Sequence, residues 1–198
     1  GIGSKLGIDL PGEVSGTVPT EEWKQKTIGE QWYLGDTFNF GIGQGYLLTT
    51  PLQVNMFTTI FANDGTFYQP HLLKGEVKKL RENIVKTEYI ELVRQGMKES
   101  CEPGGGAWPF FNFKVKNERL RVDNLNYFED ASSGAKMVHV KVGCKTGTAE
   151  VGDKDTKPHA WITVIAPFIN PEIVVTVLVE NGGEGSSIAG PIARDIVR

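Results

Sequence analysis

The chain has 198 residues, 39% of them apolar, which suffices for one soluble domain with a buried core. Its net charge of −3 and the lack of any basic cluster argue against nucleic acid as a partner. No apolar run reaches the length that spans a bilayer, the N-terminus has no charged-then-apolar leader pattern, and two cysteines, Cys101 and Cys144, are too few to diagnose a compartment.

The first forty-odd residues are rich in Gly, Pro and turn residues and read as an irregular connector carrying Trp23, Trp32 and Tyr33. Thr50-Pro51-Leu52-Gln53 then predicts a helix start, with Thr50 as N-cap, Pro51 where its missing N–H costs nothing, and Gln53 as capping-box partner. Leu52, Met56, Phe57, Ile60 and Phe61 follow at helical spacing, and Asn63-Asp64-Gly65 supplies a left-handed stop. Phe67 to Lys79 reads as a short strand and loop. A second helix is predicted from Thr87 to about Glu99 with Ile90, Val93 and Met97 on one face, although Gly96 inside it costs about 1 kcal/mol. Pro103 to Pro109 reads as a surface turn and not a phosphate cradle, because no helix follows to lend a positive N-terminus. Asn117 to Lys136, charged and without a clear period, reads as an inserted loop or hairpin.

From Val138 the pattern turns to strands: Val138 to Ala149, Ala160 to Ala166, and Ile173 to Glu180, with Asn170-Pro171 between the last two. Short connections make neighbours antiparallel. Ser187 then caps a closing helix whose Ile188, Ile192 and Ile196 are expected to pack on the sheet. The fold class is α+β, an antiparallel sheet with packed helices, the Lys145 strand at its edge.

The chemistry concentrates in Lys145-Thr146-Gly147-Thr148-Ala149-Glu150, where the alternating strand runs out into small polar residues. A Lys offers a compact positive charge to a carboxylate, two Thr hydroxyls can donate to it, and Gly147 lets a ligand backbone approach. The bland reading is an exposed strand end with a solvated lysine. Cys144 beside Lys145 could form an activated thiolate, but alternation puts the two side chains on opposite faces and favours a buried structural thiol. A Cys101–Cys144 disulfide and two separate thiols both fit the sequence. His159 reads as a hydrogen-bonded structural residue, and His71 and His139 have no metal-ligand spacing, so no metal or cofactor is expected.

The order of further motifs adds a family resemblance. Gly41-Ile42-Gly43-Gln44-Gly45, Thr50-Pro51-Leu52-Gln53, Ala62-Asn63-Asp64-Gly65, Gly96-Met97, His159-Ala160-Trp161, Ala166-Pro167 and Val179-Glu180-Asn181 occur as in class B penicillin-binding proteins. Gly7-Ile8-Asp9-Leu10-Pro11-Gly12-Glu13 resembles the segment that follows that family's second active-site motif. The chain as a whole, least so between about Asn112 and Lys136, resembles the C-terminal part of a penicillin-binding protein 2-type transpeptidase domain, with a penicillin-binding transpeptidase or serine β-lactamase-like fold.

The resemblance implies a serine D,D-transpeptidase that cross-links peptidoglycan stem peptides ending in D-Ala-D-Ala and is acylated by β-lactams. It implies that Lys145 holds the ligand carboxylate, that Thr146 and Thr148 hydrogen-bond it beside Gly147, and that the Thr148 N–H is one oxyanion donor. The family's Ser-x-x-Lys and Ser-x-Asn motifs precede the Gly-Ile-Asp-Leu-Pro-Gly segment, so residues 1–198 are expected to lack the nucleophile and to be inactive alone. The single Ser-x-x-Lys match, Ser133-Gly134-Ala135-Lys136, reads as chance. Expected partners are the upstream part of the same protein and a cell-wall synthesis complex, at the extracytoplasmic face of a bacterial membrane whose anchor lies outside this chain. A β-lactam-sensing or scaffold domain and a serine β-lactamase are the alternatives; the Thr-Pro-Leu-Gln helix and Gly-Gln-Gly turn favour the transpeptidase.

Overall fold

The structure is a computed structural model that describes residues 1–116, 128–131 and 133–198. The connector is more ordered than its composition suggests, for it holds two short helices, α1 (Glu21–Thr27) and α2 (Leu34–Gly41). Thr20 caps α1 by accepting from Trp23 N–H at 3.0 Å, and Asp36 accepts from Tyr33 N–H at 2.7 Å at the start of α2. Both satisfy donors that a helix start leaves open.

Helix α3 (Pro51–Ala62) forms as its sequence predicts. Thr50 Oγ1 accepts from Gln53 N–H at 3.1 Å and Gln53 Oε1 accepts from Thr50 N–H at 3.0 Å, the reciprocal capping box. Gln53 does more than cap: it is buried, and its Nε2 donates to Ser15 O at 2.7 Å and Ser4 O at 2.9 Å, tying the N-terminal segment to the helix. Gly65 N–H closes the helix on Ile60 O at 2.8 Å with Asp64 and Gly65 at positive φ. A small hairpin, β1 (Phe67–Tyr68) with β2 (Lys79–Arg81), follows, then α4 (Thr87–Ser100).

The predicted long strand from Val138 is instead two. Strand β5 (Lys136–His139) lies between β3 (Lys114–Lys116) and β4 (Phe128–Glu129) in one small sheet, and β6 (Gly143–Ala149) belongs to another. The break has a hydrogen-bonding cause: Val140 N–H is drawn to Phe113 O at 3.0 Å, and Lys141 O accepts from Phe168 N–H at 2.7 Å, so the backbone changes partners within the valine run. The inserted segment expected over 117–136 lies mostly outside the described residues; its described ends are β4 and the start of β5.

The second sheet carries the site. It runs in the order β6, β7 (His159–Ala166), β8 (Ile173–Val179), all antiparallel, with Lys145 opposite Thr163 and Thr148 opposite Ala160. Helix α3 covers one face through a polar ladder, Thr163 Oγ1 donating to Thr58 Oγ1 at 3.1 Å and Asn55 Nδ2 to Val174 O at 3.0 Å. The other face packs Ile162, Val164, Val175 and Val177 against the closing helix α5 (Gly190–Val197) and the π-type turn before it, Gly185–Ala189. The inward face of that closing segment is Ala189 and Ala193, both fully buried, whereas Ile188, Ile192 and Ile196 remain 38%, 44% and 56% exposed. The expectation that the isoleucines face the sheet is therefore wrong by one position. The small residues win because the turn rests directly on the strands: a Cβ on Gly185 would fall 2.3 Å from Trp161 O and 2.4 Å from Gly147 O.

Candidate functional site

Strand β6 is an edge strand, so every second residue turns its N–H and C=O away from the sheet. Two bonds fix which ones. Thr148 O accepts from Gln44 Nε2 at 3.0 Å, and Glu150 N–H donates to Gln44 Oε1 at 3.2 Å. Since N–H and C=O of one strand residue point to the same side, Thr146 and Thr148 present both groups to the free edge, while Lys145, Gly147 and Ala149 pair with β7. The Thr148 N–H thus opens outward at the position where a bound carbonyl oxygen could accept from it.

The side chains do not all share a face. Alternation sets Thr146 and Thr148 on the Cys144 side and Lys145 and Gly147 on the other, so a ligand could meet all of them only at the edge. The lysine closes that gap: its exposed side chain curls round so that Nζ donates to Thr146 O, which brings the ammonium to the edge. Thr148 Oγ1 accepts from Gly185 N–H at 3.5 Å, and Thr146 Oγ1 lies against Gly106, where an added Cβ would approach to 3.5 Å. Gly147 lacks a side chain where a Cβ would meet Trp161 Cβ at 3.3 Å.

What holds the strand in place is a disulfide. Cys144 is bonded to Cys101 at the C-terminus of α4, with Cα atoms 5.6 Å apart and a sequence separation of 43. Its burial and its placement opposite Lys145 are as expected, but it is one half of a disulfide and so neither a free structural thiol nor an activated thiolate. The Pro103–Pro109 turn begins just beyond Cys101 and is no simple surface loop, because Ala107 N–H returns to Ser100 O at 2.8 Å and Ala107 and Phe110 are buried beside the bridge.

The connector supplies the outer wall. The Gly-Gln-Gly turn leaves α2 with Gln44 N–H bonded to Asn39 O at 2.9 Å. Beneath it Lys24, with a side chain only 3% exposed, donates to Asp36 at 2.7 Å and lies 4.6 Å from the centre of the Tyr33 ring and 5.7 Å from that of Tyr46. The hydrogen bond with Asp36 raises Lys24 above the ordinary lysine range, and the same bond, helped by Tyr33 N–H, holds the Asp36 carboxyl below its ordinary range. Tyr46 in turn packs on Trp23 with ring centroids 5.4 Å apart. The Gly-Gln-Gly turn is legible in the sequence only as a motif; nothing local says that the Gln44 side chain crosses to a strand 104 residues later.

The remaining candidates fall outside the site or at its margin. His159 Nδ1 accepts from Asn181 N–H at 2.9 Å, a structural contact as expected. Ser133 is exposed in the turn from Asp130 to Ala135, donating to Asp130 Oδ1 at 3.3 Å, and does not open a helix. Among the described residues no helix is long and apolar enough to cross a membrane.

Comparison with known proteins shows the family. Residues 1–198 match the penicillin binding protein transpeptidase domain. The chain is 38% identical to the peptidoglycan D,D-transpeptidase MrdA of Haemophilus influenzae and 33% identical to that of Escherichia coli K12, in each case over all of this chain but only 30% and 31% of the relative. The chain thus spans under a third of the length of these curated relatives. Among solved structures it is similar to penicillin-binding protein PBP2 of Helicobacter pylori in complex with MreC, with TM-score 0.72 and 33% identity over 98% of this chain and 32% of that one. Pseudomonas aeruginosa PBP2 in complex with WCK 5153 gives TM-score 0.75 and 29% identity over 99% of this chain and 40% of that one.

Proposed function

Because the chain belongs to the penicillin-binding protein transpeptidase domain family, we propose that it is the C-terminal part of a peptidoglycan D,D-transpeptidase and supplies one wall of its active site. The observation that carries this reading is the free edge of β6, where the Lys145 ammonium, the Thr146 and Thr148 hydroxyls and the outward Thr148 N–H lie within a few residues.

In the reaction, a serine hydroxyl supplied from outside residues 1–198 attacks the carbonyl of the terminal D-Ala-D-Ala bond. The C–N bond breaks, the terminal D-alanine leaves with the serine proton, and an acyl ester remains. An amine of a neighbouring stem peptide then attacks the ester, forming the new amide and restoring the hydroxyl. Lys145 holds the terminal carboxylate, assisted by Thr146 and Thr148, before that residue departs. The Thr148 N–H donates a hydrogen bond to the attacked oxygen as negative charge develops on it, one of two donors; the second is the nucleophile's own N–H. A donor of this kind lowers the barrier by about 3–4 kcal/mol, so half a hole without a nucleophile gives no catalyst. β-Lactams are attacked at the same position.

The disulfide supports an extracytoplasmic location, since such bonds persist in oxidising compartments. By analogy with the relative solved together with MreC, the partners are the rest of the same protein and a cell-wall synthesis complex. The test is intact-mass spectrometry after incubation with excess penicillin. Residues 1–198 alone should show no adduct, and the full-length protein a single penicilloyl mass shift. An adduct on the short chain would place a nucleophile inside it; none on the full-length protein would point to a scaffold domain.

A further inference from the structure

We infer that Gln44 is a positioning residue for the Thr148 amide, an inference that rests on the reading of Thr148 N–H as an oxyanion donor. A carboxamide carries the same acceptor and donor as a peptide unit, and Gln44 uses both on the strand edge. Its Nε2 donates to Thr148 O at 3.0 Å and its Oε1 accepts from Glu150 N–H at 3.2 Å. These groups stand two residues apart and flank Ala149, the pair of edge groups that one residue of a parallel neighbour would bond. One side chain therefore stands in for the missing ladder where β6 ends and the sheet no longer holds it.

The effect on Thr148 is direct. Its C=O and N–H point to the same side of the strand, so a bond that steadies the first limits the swing of the second through the Thr148 φ and ψ. From the opposite side Gly185 N–H reaches Thr148 Oγ1 at 3.5 Å, and Gly147 C=O, in the same peptide unit as the Thr148 N–H, faces β7; the peptide unit that follows is held on the outer edge by Gln44. Oxyanion donors act over a narrow range of distance, and a misplacement of about 1 Å costs on the order of a hundredfold in rate.

Gln44 is itself well held. Gly43 and Gly45 on either side adopt positive φ, which lets the turn reverse sharply, and Gln44 N–H is bonded to Asn39 O at the end of α2. Asp36, in the first turn of helix α2, is paired with the buried Lys24. The ion pair, the helix and the turn form a bracket anchored in the connector and applied to the catalytic edge.

The test uses the full-length protein and stopped-flow acylation by a fluorescent penicillin, which separates the dissociation constant of the initial complex from the acylation rate constant. Gln44→Met keeps the length and bulk of the side chain and removes both bonds. It should lower the acylation rate constant about tenfold while the dissociation constant and Tm stay unchanged. Gln44→Glu keeps the acceptor for Glu150 N–H but sets a carboxylate against the Thr148 carbonyl, and should be at least as slow; it carries the comparison if Gln44→Met lowers Tm. An unchanged or faster rate constant in a folded variant overturns the inference, a faster one meaning that Gln44 obstructs the edge. Lys145→Ala is the reference. If it slows acylation while the Gln44 variants do not, the Gln44 inference alone fails; if Lys145→Ala has no effect, the site reading fails first.

Discussion

Removing the Cys101–Cys144 bridge should cost the domain about 4 kcal/mol of stability. The bond closes a loop of 43 residues, and the chain-entropy relation for a loop of that size gives about 13 cal/mol/K, or about 4 kcal/mol at 25 °C. Both sulfurs are buried, at 4% and 0% residue exposure, so replacing the pair by alanines leaves a small void that adds to the loss. For a domain of this size the midpoint should fall by roughly 8–16 °C. The assay is thermal denaturation of the full-length protein against the Cys101→Ala/Cys144→Ala double variant under non-reducing conditions, after thiol titration of the denatured wild type confirms that neither cysteine is free. The double variant avoids leaving a lone thiol. A shift below about 3 °C would refute the loop-closure reasoning and mean that the packing of α4 on β6 holds the strand without the bond.

The ion pair under the Gly-Gln-Gly turn predicts a pH dependence. Asp36, lowered by Lys24, contributes stability that is present above the ordinary aspartate pKa and lost as pH falls below it; Lys24, raised by Asp36, contributes stability that is present below the ordinary lysine pKa and lost as pH rises above it. The stability difference between wild type and Asp36→Asn should therefore be flat near neutrality and shrink below about pH 4; a difference constant from pH 2 to 7 in urea titrations would contradict the pairing. Ala193→Leu should destabilise by about 1–3 kcal/mol by overpacking the sheet face, while Ile192→Leu should fall within about 0.5 kcal/mol of wild type. The reverse order in thermal melts would restore the isoleucine face as the packed one. Gly185→Ala, whose Cβ would meet Trp161 O and Gly147 O, should likewise cost about 1–3 kcal/mol, and equality with Gly106→Ala would show that the turn has room to move.

Local signals served well where one segment determines its own shape. The α3 cap, its Asp64-Gly65 stop, helix α4, the antiparallel run from His159 and the edge placement of Lys145 all follow from capping chemistry, period and short connections. The errors arise where distant partners decide. The break between β5 and β6 depends on Phe113 and Phe168, neither of which marks the valine run. The closing helix turns Ala189 and Ala193 inward because the sheet approaches too closely for isoleucine, and helical spacing alone cannot choose between faces one position apart. Gln53 was legible as a cap but not as the anchor of Ser4 and Ser15. In the site, the Lys-Thr-Gly-Thr stretch was legible as a group of ligand-binding residue types, but strand alternation splits them between faces, and the Gln44 bracket and the disulfide join segments far apart in sequence.

The residue proposed to meet the ligand carboxylate is Lys145, on the β6 edge. The direct measurement is the second-order rate constant for acylation of the full-length protein by a β-lactam, comparing Lys145→Ala with Lys141→Ala, an exposed lysine just before the strand. The account predicts a large fall for Lys145→Ala, with Lys141→Ala close to wild type. Equal rate constants for the two variants, both folded by thermal melt, would contradict it.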